Sequence, residues 1–163
     1  MKTKLHVFDM DGTLVDSSHR YRTITDKQGN QRIDLDHWIA NEHRVMHDEL
    51  LPLAEEYQEL LTDRSTYVVI ATARIWCDLT DQFAKEKLGY PHSYFARKDR
   101  QDTRGGAALK IVGVKKLFNL KQFSQIQEVH VYEDNISYLK TICHAMPSHV
   151  KTVGHYFPSK QGH

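Results

Sequence analysis

Two aspartates separated by one residue follow a short apolar segment near the start of the chain. Leu5 to Phe8 reads Leu-His-Val-Phe, and Asp9-Met10-Asp11-Gly12-Thr13 comes directly after it. An apolar run of this length that ends at a turn signal predicts a buried strand. Because ligands of parallel sheets bind just beyond the carboxyl ends of the strands, we expect Asp9 and Asp11 to face a ligand.

The spacing of these aspartates predicts chemistry that involves a cation. Two ionised carboxylates this close repel each other, so either one pKa rises or a cation lies between them. A hard divalent ion such as Mg²⁺, which prefers oxygen ligands, suits the pair. Asp9 is then a candidate nucleophile that forms an acyl-phosphate, and Asp11 a candidate general acid–base. Gly12 permits the tight turn that follows.

The alternative is that these residues form only a turn or begin a calcium-binding loop. An EF-hand loop that begins at Asp9 requires glycine where Leu14 stands and glutamate where Arg20 stands. Further polar side chains follow other predicted strands, and this recurrence favours the catalytic interpretation over the turn.

Two later residues have the chemistry needed to hold a phosphate. Thr72 follows a predicted strand over 67–71, and its hydroxyl can donate a hydrogen bond to a phosphoryl oxygen. Lys110 lies on a predicted helix and can hold both the phosphate and the carboxylate of Asp9. Other lysines that could take this role are Lys98 and Lys115.

An acidic pair, Glu133-Asp134, follows a predicted strand over 129–132. Asp134 can complete the oxygen shell of a metal ion together with Asp9 and the backbone carbonyl of Asp11. Glu133 supports that shell or orients a water. Carboxylates, a metal, a hydroxyl and a lysine together are the ingredients of phosphoryl transfer, which depends mostly on positioning and charge neutralisation.

Strands and helices alternate along the chain and predict a three-layer α/β fold with a parallel, Rossmann-like sheet. We expect one domain over residues 1–163. The predicted strands cover 5–8, 67–71, 93–96, 129–132 and 150–156. The predicted helices cover 52–62, 76–87, 107–118 and 136–146.

Residues 17–47, between the first two strands, predict a small flap or insert. Two short segments, 21–24 and 31–33, flank a turn cluster that contains Gly29, which indicates a hairpin over the site. Asp36 predicts the N-cap of a helix over 37–47.

Three arginines and two tryptophans are candidates for contact with a substrate. Arg74, Arg97 and Arg104 can each bind a phosphate or form a surface ion pair, and the sequence leaves these alternatives open. A tryptophan can stack on a base, although it is more often a packing anchor. Trp76, just beyond a strand end, is better placed for stacking than Trp38.

Composition excludes few functional classes. The chain has 40% hydrophobic and 26% charged residues and a net charge of +1, which is typical of a globular domain and does not demand a nucleic-acid partner. Residues 34–66 hold nine acidic and two basic side chains, whereas residues 97–121 hold eight basic and two acidic ones. A basic half fits an anionic substrate, although most charge runs are solvated faces.

The cysteine content and the N-terminus favour a cytoplasmic protein. Cys77 and Cys143 do not make a disulfide framework, so the reduced state is the default. No segment approaches the roughly 18 apolar residues of a membrane span. The N-terminus enters the first strand without the pattern of a signal peptide. We therefore expect no membrane partner.

The ordered set of motifs resembles the haloacid dehalogenase (HAD) superfamily of phosphatases, whose first motif is Asp-x-Asp-Gly-Thr. Residues 9–13 match that motif at every fixed position. The strand that ends in Thr72 looks like the second motif, Lys110 like the third and Glu133-Asp134 like the fourth. The resemblance covers residues 4–156.

This resemblance implies Mg²⁺ and an aspartyl-phosphate intermediate. It implies attack on phosphorus by Asp9 and protonation of the leaving oxygen by Asp11. The large cap domains of the superfamily look absent, since only residues 14–66 separate the first two motifs. A nearly capless enzyme leaves its site open, which suits a large substrate such as a polynucleotide end.

The segment from Arg97 to Arg104, followed by Lys110, resembles the phosphatase domain of phage-type polynucleotide kinase-phosphatases. Thr72-Ala73-Arg74 resembles the second motif of that domain. The resemblance implies a nucleotide-type phosphate as substrate, with a 3′-phosphate at a nucleic-acid end as the leading expectation.

Two alternatives to that function remain open. One is a 5′-nucleotidase or small-molecule phosphatase, in which residues 17–47 fold over the site as a lid. The other, of a different class, is a phosphate-binding module that has lost catalysis. The intact Asp11 argues against such a module, which has no need of an acid–base.

Overall fold

A computed structural model describes residues 1–159 and contains nine strands in that range. They are β1 (Lys4–Phe8), β2 (Val15–Asp16), β3 (Thr23–Thr25), β4 (Gln31–Ile33), β5 (Glu49–Leu50), β6 (Thr66–Ile75), β7 (Ser93–Arg97), β8 (Glu128–Glu133) and β9 (Lys151–Tyr156). Five of them form a parallel sheet in the order β7-β6-β1-β8-β9. The predicted parallel α/β fold is confirmed.

Residues 1–159 contain five α-helices, four of which cover the two faces of this sheet, while the first lies in the insert between β1 and β6. They are α1 (Leu35–Ala40), α2 (Leu53–Leu61), α3 (Asp78–Phe83), α4 (Gly106–Phe118) and α5 (Ile136–His144). Side chains of α4 and α5 pack on one face, and side chains of α2 and α3 pack on the other. No helix among residues 1–159 is long and apolar enough to cross a membrane.

Alternation along β1 supplies both layers of the core. Successive side chains of a strand point to opposite faces, so Leu5 and Val7 face one way and Phe8 the other. Leu5 and Val7 pack with the α4 residue Val114, whereas Phe8 packs with the α2 residue Tyr57. The rings of Phe8 and Tyr57 meet edge to face, with centroids 5.3 Å apart.

The register of the central strands brings three chain segments to one edge of the sheet. Phe8 lies opposite Ile70 of β6 on one side and Tyr132 of β8 on the other. The residues that follow these three positions therefore emerge side by side at the carboxyl ends of the strands.

The insert between β1 and β6 contains the predicted hairpin. Strands β3 and β4 pair antiparallel, and Gly29 turns between them with a φ of 83°. The predicted helix over 37–47 is wrong in its extent, because α1 ends at Ala40 and a separate 3₁₀ segment covers Glu42–His47. Asn41 ends the helix: its side-chain amide donates to the carbonyl of His37 at 2.8 Å.

The N-cap of α1 also differs from the prediction. Asp34, rather than Asp36, accepts a hydrogen bond from the backbone N–H of His37 at 3.1 Å. Asp34 is already fixed by an ion pair with Arg22, which places its carboxylate at the start of the helix. Asp36 lies within the first turn of the helix and is exposed.

Two other boundaries differ from the prediction. Strand β6 runs to Ile75, beyond the predicted end at residue 71, with a register shift against β7 between Ala71 and Ile75. The predicted helix over 76–87 begins only at Asp78 and finishes in a π-helical turn, Ala84–Leu88. The side chains of residues 72–75 therefore project from extended backbone.

Candidate active site

Three buried carboxylates lie together at the carboxyl edge of the sheet. Each of Asp9, Glu133 and Asp134 offers an oxygen within 4.8 Å of the other two. Lys110 Nζ donates to Asp9 Oδ1 at 2.8 Å and to Glu133 Oε2 at 2.7 Å. The chain thus unites four residues that are up to 125 positions apart in sequence (9 to 134).

Strand alternation explains why these groups meet. Asp9 follows Val7 by two residues, and Glu133 follows Val131 by two, so both carboxylates project toward the helix layer that contains α4. Helix α4 carries Lys110, which is only 3% exposed. The two competing lysines, Lys98 and Lys115, are exposed.

The cluster holds more negative than positive charge. Burial, followed by the charge of Asp9, raises the pKa of Glu133 to about 9 and that of Asp134 to about 7. Burial disfavours the charged form of Lys110, but the neighbouring carboxylates outweigh it and raise the lysine pKa. When all three carboxylates are ionised they outweigh the one ammonium, a divalent cation would neutralise that excess, and an all-oxygen donor set fits Mg²⁺.

The loop after β1 approaches this cluster closely. Gly12 has a φ of 80°, and a Cβ placed on it would lie 2.2 Å from Asp134 Oδ2. Thr13 Oγ1 donates to Asp9 Oδ2 at 2.9 Å. Ser159, a contact that the sequence did not predict, donates to Asp134 Oδ2 at 2.7 Å. Only glycine fits at position 12 without displacing a carboxylate.

Asp11 is not a member of the acidic cluster and pairs with an arginine. Arg74 Nε donates to Asp11 Oδ2 at 3.1 Å, Arg74 Nη2 donates to Oδ1, and Ser17 Oγ donates to Oδ1 at 2.7 Å. Burial alone would raise the pKa of Asp11, but Arg74 offsets it and holds that pKa below its usual range. Arg74 thus forms a buried ion pair and also lines the central cavity.

Thr72 lines the same cavity as the acidic cluster and this ion pair. Its hydroxyl oxygen accepts from the backbone N–H of Arg74 at 3.1 Å and lines the central cavity. Because Oγ1 is the acceptor in that bond, the hydroxyl keeps its own proton for donation to an anionic ligand.

The two other candidate arginines stabilise the loop after β7. Arg97 donates to the backbone carbonyls of Ala73 (2.9 Å) and Arg104 (2.8 Å). The Arg104 guanidinium forms a two-pronged pair with Asp102, at 2.8 and 2.7 Å. Arg97 also lines the cavity, whereas Arg104 is not among its lining residues. The structure therefore gives Arg104 no place in the site.

A cavity of about 420 Å³ opens over the carboxylates. The sheet side of its wall is polar, whereas the insert contributes mainly apolar groups. The insert residues that line it are Tyr21, Gln31, Arg32, Ile33, Leu35, Asp36, Trp38 and Ile39. The insert is a small cap, as expected. It forms one wall of the cavity, whereas the sequence predicted an open site.

The relative placement of the two tryptophans is opposite to the prediction. Trp38 lines the cavity, whereas Trp76 stacks on Tyr94 with centroids 3.9 Å apart and is not a lining residue. Trp76 follows Ile75, the last residue of β6, and its indole N–H donates to Asp81 Oδ1 at 3.0 Å, which holds the ring away from the cavity. Trp38 carries the Arg20 guanidinium over its ring, 4.1 Å from the centroid.

Sequence reasoning missed Asp48 and Arg20, which pair in the buried base of the insert. Neither has a spacing pattern that would reveal it. Arg20 is 1% exposed despite its charge, and Asp48 is 4% exposed. Long-range ion pairs of this kind follow from tertiary packing rather than from local sequence.

Comparisons with known proteins agree with this architecture. The sequence matches, over residues 1–155, the family described as bacteriophage T5 5′-deoxynucleotidase. A protein named 5′-deoxynucleotidase from Escherichia phage T5 is 25% identical over 137 residues, which cover 82% of this chain and 50% of that protein. The chain thus spans about half the length of that relative.

A solved structure shares the fold. The HAD domain of the effector protein Lem4 from Legionella pneumophila matches with a TM-score of 0.61 at 10% sequence identity. The match covers 98% of this chain and 88% of the Lem4 domain chain. The HAD-like fold predicted from the sequence motifs is therefore confirmed.

Proposed function

Since this chain belongs to the bacteriophage T5 5′-deoxynucleotidase family, we propose that it is a Mg²⁺-dependent HAD-type phosphatase that hydrolyses deoxynucleoside 5′-monophosphates. The observation that carries the proposal is the union of Asp9, Glu133, Asp134 and Lys110 at the floor of a cavity of about 420 Å³. Its volume lies within the range of small-molecule sites, roughly 300–1,000 Å³.

The polar floor suits a phosphate, and the apolar wall suits a nucleoside. Thr72 can donate to a phosphoryl oxygen, and Lys110 keeps a positive charge beside the Asp9 carboxylate. The insert side offers Trp38, Ile33 and Ile39 to the apolar part of the substrate. This division of the cavity wall into a polar and an apolar part favours a mononucleotide over a polynucleotide that extends far beyond the cavity.

Asp9 and Asp11 divide the chemistry between them. An Asp9 carboxylate oxygen forms a bond to phosphorus while the bond from phosphorus to the 5′-oxygen breaks, and Asp11 gives that oxygen a proton. Water then attacks phosphorus, the bond between phosphorus and the Asp9 oxygen breaks, inorganic phosphate leaves, and Asp11 takes up the proton of the water. The bound phosphate dianion opposes the negative charge of Asp11 and so helps it carry the proton in the first step.

Mg²⁺ would be held by Asp9, Asp134 and the backbone carbonyl of Asp11. When bound, it supplies charge neutralisation that lets an anionic phosphate approach a carboxylate. Glu133 is assigned a supporting role, because its Oε2 already accepts from Lys110 at 2.7 Å.

The 3′-phosphate of a nucleic-acid end receives less support. The arginines on which that expectation rested are engaged by Asp102 and by backbone carbonyls. The family description and the walled cavity support instead the 5′-nucleotidase, which the sequence analysis kept as an alternative. A binding module without catalysis is disfavoured because the nucleophile and acid–base positions are both filled.

The test compares phosphate release from three substrates at two salt concentrations. They are a deoxynucleoside 5′-monophosphate, a 3′-monophosphate and a 3′-phosphorylated oligonucleotide. We expect the 5′-monophosphate to be preferred by at least about tenfold, with little salt dependence, because a mononucleotide releases few counterions on binding. Preference for the oligonucleotide, with steep loss of activity at high salt, would overturn the assignment of substrate.

A further inference from the structure

Asp48 lies at the centre of a buried chain of ion pairs at the base of the insert. Its side chain is fully buried. Arg20 donates to it twice, from Nε to Oδ1 at 2.8 Å and from Nη2 to Oδ2 at 2.9 Å, and His19 Nε2 lies 2.8 Å from Oδ1. A carboxylate with this many partners is fixed in one orientation.

The chain of ion pairs continues from Asp48 through Arg74 to Asp11, the proposed acid–base. Arg74 Nη2 donates to Asp48 Oδ2 at 3.2 Å and also to Asp11 Oδ1. On its other side, Arg74 Nη1 donates to Thr80 Oγ1 at 3.3 Å. The Arg74 side chain is only 2% exposed, so protein groups rather than water determine where its guanidinium lies.

Asp48 also ties this geometry to the insert. Arg20, its bidentate partner, stacks on Trp38 of α1, and Trp38 lines the cavity. The residue that fixes Arg74 is thus held by the same element that walls the substrate site. No role in binding substrate is available to Asp48 itself, because it is not among the lining residues of the cavity.

We propose that Asp48 is a positioning residue for the reaction: it holds Arg74 so that Arg74 aims the Asp11 carboxyl at the leaving oxygen. The inference rests on the proposed function. In the step concerned, the Asp9–phosphorus bond forms, the bond from phosphorus to the leaving oxygen breaks, and the proton of Asp11 passes to that oxygen. Asp48 takes no part in bond making.

A positioning role predicts a defect that depends on the leaving group. A 5′-alkoxide is strongly basic and needs the proton of Asp11, whereas p-nitrophenolate is a stable anion that leaves without one. General acid catalysis contributes about 10²–10⁴ to rates. Hydrolysis of the acyl-phosphate also uses Asp11 and is common to both substrates, so the quantity that separates them is the rate of leaving-group release in a single turnover with enzyme in excess. In Asp48→Asn, we expect that rate to fall at least about tenfold for a deoxynucleoside 5′-monophosphate and less than about threefold for p-nitrophenyl phosphate.

The matched control is Asp34→Asn. Asp34 is another buried aspartate of the insert with an arginine partner, Arg22, and it has no contact with Arg74 among its hydrogen bonds. This variant should leave the ratio of the two single-turnover rates, for the deoxynucleoside 5′-monophosphate and for p-nitrophenyl phosphate, within about twofold of the wild type. The reason is that proton transfer from Asp11 is untouched. A purely structural loosening of the insert would affect both variants alike.

Asp48→Asn leaves the buried Arg20 charge without its partner, which can cost several kcal/mol. The double variant Arg20→Met/Asp48→Asn removes both charges, and we expect it to fold and to show the same substrate split. Equal loss of the single-turnover rate of leaving-group release on both substrates, or no loss on either, in the folded variant would overturn the inference. Failure of the wild type to release phosphate from either substrate would contradict the proposed function instead.

Discussion

At the scale of single residues, the contact between Gly12 and Asp134 shows how little space the site leaves. A Cβ at position 12 would lie 2.2 Å from Asp134 Oδ2 and 2.6 Å from Ser159 Oγ. Asp134 is one of the proposed metal ligands, so the first motif and the fourth motif constrain each other directly. The glycine is required by the neighbouring carboxylate as well as by its own turn.

We predict that Gly12→Ala weakens metal binding. The added methyl group displaces the Asp134 carboxylate, and disturbing the surroundings of a ligand typically costs 10–100-fold in metal affinity. The concentration of Mg²⁺ that gives half-maximal phosphate release should therefore rise at least about tenfold. A titration of activity with Mg²⁺ measures this directly.

Gly29→Ala is the matched control for that variant. Gly29 has nearly the same backbone conformation, with a φ of 83°, but a Cβ there meets nothing within 4 Å. Both substitutions carry a backbone penalty of about 1–2 kcal/mol, and only Gly12→Ala crowds a carboxylate. An equal change in Mg²⁺ requirement in both would show that strain, rather than Asp134, is responsible.

At the scale of elements, helix α4 determines where Lys110 lies. The helix packs on β7 through Gly113, where a Cβ would come within 2.3 Å of the Phe95 ring. This close approach brings Lys110, one turn earlier, over the ends of β1 and β8. The glycine in the middle of α4 therefore sets the distance between the helix and the sheet.

We predict that Gly113→Ala both destabilises the fold and lowers activity. Overpacking a close contact typically costs about 1–3 kcal/mol, and the displaced helix moves Lys110 from Asp9. Urea denaturation and steady-state phosphate release measure the two effects. Gly105→Ala, at the N-cap of α4 with nothing within 4 Å of the added Cβ, should change neither by much. Unchanged stability in Gly113→Ala would contradict this account of the helix position.

The sequence predicts the elements of the core better than those of the insert. Apolar runs such as Tyr67–Ala71 and Val129–Tyr132 identify central strands because a parallel sheet buries both faces. Polar residues directly after these runs, such as Thr72 and Asp134, then identify the candidate site. The first motif identifies Asp9 and Asp11. The register of the parallel strands then brings these residues to one edge of the sheet.

The insert is less predictable because long-range pairs shape it. Asp34 rather than Asp36 caps α1 since Arg22 holds its carboxylate, and Asn41 ends the helix through its own side chain. Asp48 and Arg20 meet only in the folded chain. Local patterns carry no signal for such pairings.

At the scale of the whole molecule, the buried carboxylates oppose folding unless a cation binds. In the folded chain without metal, burial and the charge of Asp9 raise the pKa of Asp134 from 3.8 to about 7 and that of Glu133 from 4.5 to about 9. Between these limits the folded chain binds more protons than the unfolded chain. The free energy of unfolding therefore falls as pH rises.

We predict that metal-free protein loses stability from pH 6.5, the ordinary pKa of histidine, to about pH 9, the pKa of Glu133 in the folded chain. His6 contributes stability that rises with pH, because burial and its neighbouring histidines lower its pKa to about 4. That contribution changes only below pH 6.5. Saturating Mg²⁺ should remove most of the decline, since it binds the ionised carboxylates of the folded state. Urea denaturation with EDTA or with Mg²⁺, at several pH values, measures it.

Glu133→Gln is the control for the pH dependence. It removes one of the two groups with a raised pKa and keeps a polar side chain at the position. The metal-free variant should show a shallower decline than the metal-free wild type. Parallel curves with and without Mg²⁺ would mean that these carboxylates do not bind the cation.

The most direct test of the whole account is to trap the covalent intermediate on Asp9. Protein turning over a deoxynucleoside 5′-monophosphate with a radiolabelled phosphate is quenched in acid, and the phosphate bound to protein is measured before and after hydroxylamine. We expect label that hydroxylamine removes, as for an acyl-phosphate, and neither label nor turnover in folded Asp9→Asn. Turnover of Asp9→Asn near the wild-type rate, or the same label in that variant, would contradict the account.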